Sequence, residues 1–169
     1  PLARLVEQAE PLGTAHALSQ ARALVGEHQG NILVINGDVP LVTSETLSTL
    51  RLHHEANQAC LTLLTCGGFP SGGLGRVIRG ANGKVVAIVE EREMKGEEAM
   101  SPESNVGVYC IRSPWLWLAL GQLSPSSKGE VYLTDLVALA SAQGHEVGAV
   151  SLVDSGEGLG VNDGVELAT

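Results

Sequence analysis

Two side chains separated by most of the chain could share a hard cation. Asp38 follows the apolar run Ile32–Ile35 across Gly37, and Asn162 lies within Gly158-Leu-Gly160-Val-Asn162-Asp163, after the last strand-like segment. In an open parallel sheet, ligands collect in the crevice at the carboxyl ends of the strands. A carboxylate there, joined by an amide oxygen, offers the oxygen donors that Mg2+ takes. Each residue also has an ordinary reading. Gly37-Asp38-Val39-Pro40 is equally a turn in which the Asp caps the backbone, and Asn162 by itself is a helix N-cap. Only the pairing gives Asn162 functional weight.

Gly13-Thr14 precedes a helical stripe beginning near His16, and free amides at a helix N-terminus can receive phosphate or a carbonyl-rich base. One Gly-Thr pair is no glycine-rich phosphate cradle. His16 reads as a packed or capping side chain rather than a catalytic base. Glu90 ends a strand-like run beside Glu91, Arg92 and Glu93, and taken alone it reads as part of a solvated face.

The elements that must position these residues alternate between strands and helices. Ile32–Ile35 is continuously apolar, as in a strand covered on both faces of a mostly parallel sheet. Apolar residues at helical spacing run from His16 to Val25, and again from Glu45 to Ala56 with Pro40 and Ser44 leading in. Ala59–Cys66 is a second strand and dissolves into the glycine-rich loop 67–73. Arg76–Arg79 and Lys84–Glu90 flank Asn82-Gly83, a strong hairpin signal. Val106–Ile111 is a strand followed by Ser113-Pro114, an N-cap with proline at the first helical position, and a short helix to Leu120. Thr134 and Asp135 open another helix, which ends at Gly144, and Val147–Val153 is a last strand. The order predicts a doubly wound α/β sheet with an antiparallel hairpin insertion.

The chain has 169 residues, 44% of them hydrophobic, enough for the core of one domain. Its net charge of −9 repels phosphate polymers and anionic lipid, which argues against nucleic-acid and membrane partners. A small phosphate ligand stays compatible, because amides and a bound cation neutralise it locally. Cys60, Cys66 and Cys110 have no metal-type spacing and read as reduced core residues. No apolar stretch reaches the length of about eighteen residues that marks a membrane span, and no signal-peptide pattern is present. The cytoplasm is the expected compartment.

Seven segments in order resemble one family: Gln8-Ala-Glu10-Pro-Leu-Gly13-Thr14-Ala-His16-Ala17, Gly37-Asp38-Val-Pro40-Leu41, Gly75-Arg76-Val77, Ile88-Val89-Glu90, Asn105-Val-Gly107, Glu130-Val-Tyr132-Leu-Thr134-Asp135 and Gly160-Val-Asn162. They are similar to the uridyltransferase half of the bifunctional N-acetylglucosamine-1-phosphate uridyltransferase/glucosamine-1-phosphate acetyltransferases. The resemblance implies a Rossmann-like mixed sheet of the nucleotide-diphospho-sugar transferase type. It also implies formation of UDP-N-acetylglucosamine and pyrophosphate from UTP and N-acetylglucosamine 1-phosphate, for cell-wall precursors. On it, Gln8, Gly13 and Thr14 contact the uracil, Gly75, Glu90 and Asn105 fix the sugar, Tyr132 and Thr134 line the sugar-phosphate side, and Asp38 and Asn162 hold Mg2+. No protein nucleophile is implied. Asn36 stands where some relatives carry an aromatic residue.

The family's glycine-rich loop of the form L-x-x-G-x-G-T-x-M and the Pro-Lys segment after it have no counterpart here. Residues 1–169 are therefore expected to be a partial, N-terminally truncated uridyltransferase domain without the acetyltransferase β-helix. Such a piece is expected to be inactive alone, and its exposed sheet edge and core favour association with itself or a partner. Two other readings share the fold: a non-catalytic sugar-nucleotide-binding or subunit-interaction module, and a related enzyme using another sugar 1-phosphate or nucleotide.

Overall fold

A computed structural model describes residues 3–67, 73–96 and 100–161. Two short helices, α1 (Thr14–Gln20) and α2 (Arg22–Val25), precede strand β1 (Asn31–Ile35), helix α3 (Ser44–Ala56) and strand β2 (Leu61–Gly67). The hairpin β3 (Arg76–Arg79) and β4 (Val85–Val89) follows, then the long strand β5 (Glu103–Arg112). Helices α4 (Ser113–Leu120) and α5 (Asp135–Ala142) and strand β6 (Val147–Ser151) come next, and a 3-10 turn at Ser155–Gly158 follows β6.

Six strands form one mixed sheet in the order β4-β3-β5-β2-β6, with β1 on β5. Strand alternation places Leu61, Leu63, Tyr109 and Ile111 in a cluster with Leu116, Trp117, Leu136 and Val137 of α4 and α5. The opposite face carries Leu64, Cys66, Val106, Val108 and Cys110 against Leu50 of α3. Helices thus cover both faces of the central strands, the doubly wound arrangement expected from the order of elements. All three cysteines are buried and unbridged, and burial pushes the Cys60 and Cys110 thiols up to about 11.

Several local expectations are corrected. Only β2 with β6 is a parallel pair among the described pairings; β5 runs against β1, β2 and β3. β1 is not covered on both faces. Ile32 and Val34 pack inward, while Leu33 and Ile35 are 40% and 45% exposed, because β1 pairs with β5 alone among the described strands. The helix read from His16 to Val25 breaks at Ala21, and α2 buries none of its residues, so packing holds no common axis. The hairpin forms, but Asn82-Gly83 sits in a longer loop closed by Gly80 N–H to the Lys84 carbonyl at 2.9 Å. Ser113 lies inside α4, and its hydroxyl accepts from Trp117 Nε1 at 3.0 Å instead of capping. The last strand ends at Ser151, two residues short of Val153.

The antiparallel placement of β5 aligns the other strands. The C-terminal ends of β1, β2, β4 and β6 and the N-terminal ends of β3 and β5 all meet one rim of the sheet, as the pairs Ile35–Val108, Thr65–Asn105, Arg76–Val89 and Thr65–Ser151 require. No helix among the described residues is long and apolar enough to cross a membrane.

Candidate active site

One cavity of about 290 Å³ opens beside α1 and is lined by Gln8, Pro11, Gly13, Thr14, Ala17, Glu130 and Tyr132. Its walls are two segments distant in sequence that pair by backbone. Val131 N–H donates to the Leu12 carbonyl at 2.9 Å, and Ala15 N–H donates to the Val131 carbonyl at 3.0 Å. Gly13 sits between them at φ +103°, where a Cβ would lie 2.4 Å from the Val131 oxygen. Only glycine fits that backbone and that contact. The Thr14 hydroxyl accepts from Leu133 N–H at 2.9 Å and fastens the pairing.

Gln8 Nε2 donates to the Gly13 carbonyl at 3.1 Å and lies 2.9 Å from His16 Nδ1. His16, read from sequence as a packed side chain, therefore holds a cavity residue in place. Tyr132 donates its hydroxyl to Glu130 Oε2 at 2.7 Å, and that bond raises the phenol above its ordinary value.

A second cluster adjoins through residues 132–134. Thr134 directs its hydroxyl to Glu90 Oε1 at 2.7 Å rather than capping α5. Glu90 is thus half-buried and engaged, not part of a solvated face. Asn105 N–H donates to the Gly75 carbonyl at 2.9 Å, joining β5 to the entry of β3. Asn105 Nδ2 also donates to the buried Tyr109 hydroxyl at 2.8 Å, and its Oδ1 accepts from Gly107 N–H at 3.2 Å. Burial, with Glu93 and Glu90 adding like charge, pushes the Asp135 carboxyl above its usual range. The carboxylates at this corner suit a ligand rich in hydroxyl donors.

Asp38 occupies the same rim, exposed, two residues beyond Asn36. Asn36 N–H donates to the Gly107 carbonyl at 3.1 Å, at a bulge where Gly107 takes φ +83°. Val161 N–H donates to the Asp38 carbonyl at 2.7 Å, so the chain leaving β6 returns to the Asp38 loop. Asn162 lies outside the described residues. No group of three or more His, Cys, Asp or Glu among the described residues could hold a metal by itself.

The rim therefore gathers Gly75, Glu90, Asn105 and Thr134, while Gln8, Gly13, Thr14 and Tyr132 line the adjoining cavity. Glu130, His16 and Glu157 carry contacts that sequence reasoning did not assign. Glu130 stood within a quoted motif, two residues from Tyr132, and their bond is a local contact.

Comparison with known proteins adds independent information. Residues 3–157 match the nucleotidyl transferase family profile. The chain is 42% identical over 163 residues to the "Bifunctional protein GlmU" of Enterococcus faecalis, covering 96% of this chain and 36% of that protein. It is 43% identical over 164 residues to the protein of that name from Lactobacillus delbrueckii subsp. bulgaricus, with coverages of 96% and 36%. The corresponding Corynebacterium efficiens protein is 42% identical over 166 residues, with coverages of 98% and 34%. The chain spans about a third of the length of these curated relatives.

Proposed function

Because the chain belongs to the nucleotidyl transferase family, we propose that its full-length protein joins UTP to N-acetylglucosamine 1-phosphate, giving UDP-N-acetylglucosamine, a cell-wall precursor, and pyrophosphate. The observation that supports this most is a continuous one. The cavity lined by Gln8, Gly13, Thr14 and Tyr132 is joined through Thr14–Leu133 to the Glu90–Thr134 pair.

In this reading Gln8 and the backbone around Gly13 read the edge of the uracil, a neutral ring of alternating donors and acceptors. Amide and carbonyl groups suit that task because they need no charge. Glu90 and Asn105 accept and donate hydrogen bonds to sugar hydroxyls, with Gly75 keeping the backbone close, and Tyr132 and Thr134 face the sugar-phosphate side. A phosphate oxygen of the sugar phosphate attacks the α-phosphorus of UTP; the new P–O bond forms as the bond to pyrophosphate breaks. Positioning of the two substrates in line supplies much of the rate, and no side chain forms a covalent intermediate.

Asp38 is an exposed carboxylate at the rim, tied through its carbonyl to Val161, the residue before Asn162. A carboxylate together with an amide oxygen is a donor set suited to Mg2+, and Asp38 and Asn162 would hold it. When bound, Mg2+ supplies positive charge to the phosphate oxygens.

Pyrophosphate release from UTP and N-acetylglucosamine 1-phosphate by the full-length gene product tests the reading, and no release defeats it. Titration calorimetry with UDP-N-acetylglucosamine against other nucleotide sugars decides the substrate: tighter binding of a different one reassigns it.

A further inference from the structure

Outside the residues assigned above, one charged contact ties the same rim together across the chain. The Glu157 carboxylate, in the 3-10 turn Ser155–Gly158, receives three donors on a single oxygen. These are Thr43 N–H at 3.0 Å, the Thr43 hydroxyl at 3.2 Å and the Thr46 hydroxyl at 2.6 Å. Thr43 is the N-cap of α3, so the carboxylate also meets the positive end of that helix. The same donors, Thr46 first, hold the Glu157 carboxyl below its ordinary range.

This contact is one of two clamps. The other is Val161 N–H on the Asp38 carbonyl at 2.7 Å. Together they grip the loop between β1 and α3 at both ends, Asp38 on one side and Thr43 on the other. Between them Val39 is 5% exposed and packs with Leu50 and Leu64, so the loop is pinned from below as well. Three points of attachment fix the backbone that carries the exposed Asp38 carboxylate. Removing the Glu157 clamp leaves the Thr43 end without its cross-chain tie, while the cavity lined by Gln8 and Tyr132 is untouched.

We propose that Glu157 is a positioning residue, fixing the Asp38 loop against the segment that leaves β6 so that Asp38 is placed to hold the divalent cation. This rests on the reading of Asp38 as a cation ligand given above. Glu157 itself touches no substrate in this proposal; it acts through the loop.

The test uses the full-length protein and Mn2+ as probe, followed by electron paramagnetic resonance at saturating UDP-N-acetylglucosamine. Partners that orient a ligand typically contribute about 10–100-fold in metal affinity. Glu157→Ala is therefore expected to weaken Mn2+ binding at least about tenfold, with calorimetric affinity for metal-free UDP-N-acetylglucosamine unchanged. Glu157→Gln keeps an acceptor for the same donors and is expected to lose less. Thr46→Val, which deletes the shortest donor, should weaken Mn2+ binding and should add little in combination with Glu157→Ala. Leu116→Val loosens α4 in the core cluster on the opposite face of the sheet, away from the clamp and from Val39; it should lower the thermal midpoint and leave the Mn2+ titration alone. Unchanged Mn2+ affinity in Glu157→Ala, beside a loss in Asp38→Ala, overturns the role of Glu157 and leaves the cation site standing. An equal loss in Leu116→Val reduces Glu157 to a structural contact and overturns it too. Full Mn2+ binding in Asp38→Ala removes the cation reading and this inference with it.

Discussion

The Thr134 hydroxyl donates to the Glu90 carboxylate at 2.7 Å, across 44 residues of chain, and in doing so leaves the N-terminus of α5 without a side-chain cap. A threonine at a helix start ordinarily serves the helix. Here it serves an acid that shares this corner with Glu93 and Asp135.

Thr134→Val removes that donor and keeps the side-chain shape. A hydrogen bond to a charged group contributes about 1.5–3 kcal/mol, so KM for the sugar 1-phosphate should rise about tenfold or more while KM for UTP changes little. Steady-state kinetics on the full-length protein read both constants. Unchanged values for both would remove the pair from the sugar site.

Gly13→Ala places a methyl 2.4 Å from the Val131 oxygen on a backbone at φ +103°. Strain of this kind costs about 1–3 kcal/mol, and the pairing of residues 12–15 with 131–133 must open to relieve it. Thermal unfolding should show a lower midpoint and calorimetry a loss of uridine-nucleotide affinity. A variant with native affinity would separate this pairing from the base site.

His54 is 2% exposed, held between Thr62 Oγ1 at 2.9 Å and Asn31 Oδ1 at 3.2 Å. Burial first, and Arg112 second, lower its pKa below 6.5. The unfolded chain then takes up the proton more readily than the folded one, so stability is fully present above about 6.5 and falls as pH drops below it, until the lowered native value is passed. The carboxylates with lowered pKa, Glu103 and Glu157, act below 4.5 and lie outside this window. Urea denaturation at pH 7.5 and 5.5 should show a larger fall for the native sequence than for His54→Leu. Equal falls would place the pH dependence elsewhere.

Leu116 and Leu118 are neighbours on α4 with opposite fates, 0% and 68% exposed. Leu116→Ala should cost about 2–5 kcal/mol by opening a cavity in the larger core cluster. Leu118→Ala should fall within about 0.5 kcal/mol of the native value. Comparable losses in urea melts would mean that α4 packs through a different face.

The contrast between these leucines marks the boundary of what sequence patterns convey. The apolar runs of β2 and β5, helical spacing in α3 and α5, and the Asn82-Gly83 hairpin were legible because each depends on residues a few positions apart. The candidate residues were named for a different reason: seven short segments keep the order of a known family. Glu157 gave no such signal, since its partners Thr43 and Thr46 lie 114 and 111 residues away. The exposure of Leu33 and Ile35 was also hidden, because an apolar run reports a preference for burial and not whether a neighbour is present to provide it.

The sequence by itself determined the order of strands and helices, the apolar stretches that supply the core, and which side chains could do chemistry. The tertiary structure decided where those side chains meet. Antiparallel β5 turns the ends of six strands toward one rim, the Gly107 bulge and the Gly13 contact set local spacing there, and the hydroxyls of Thr134 and Thr46 are drawn from their own helices to distant carboxylates. Local backbone preference acts over a few residues, whereas strand pairing and a carboxylate's need for donors act through space.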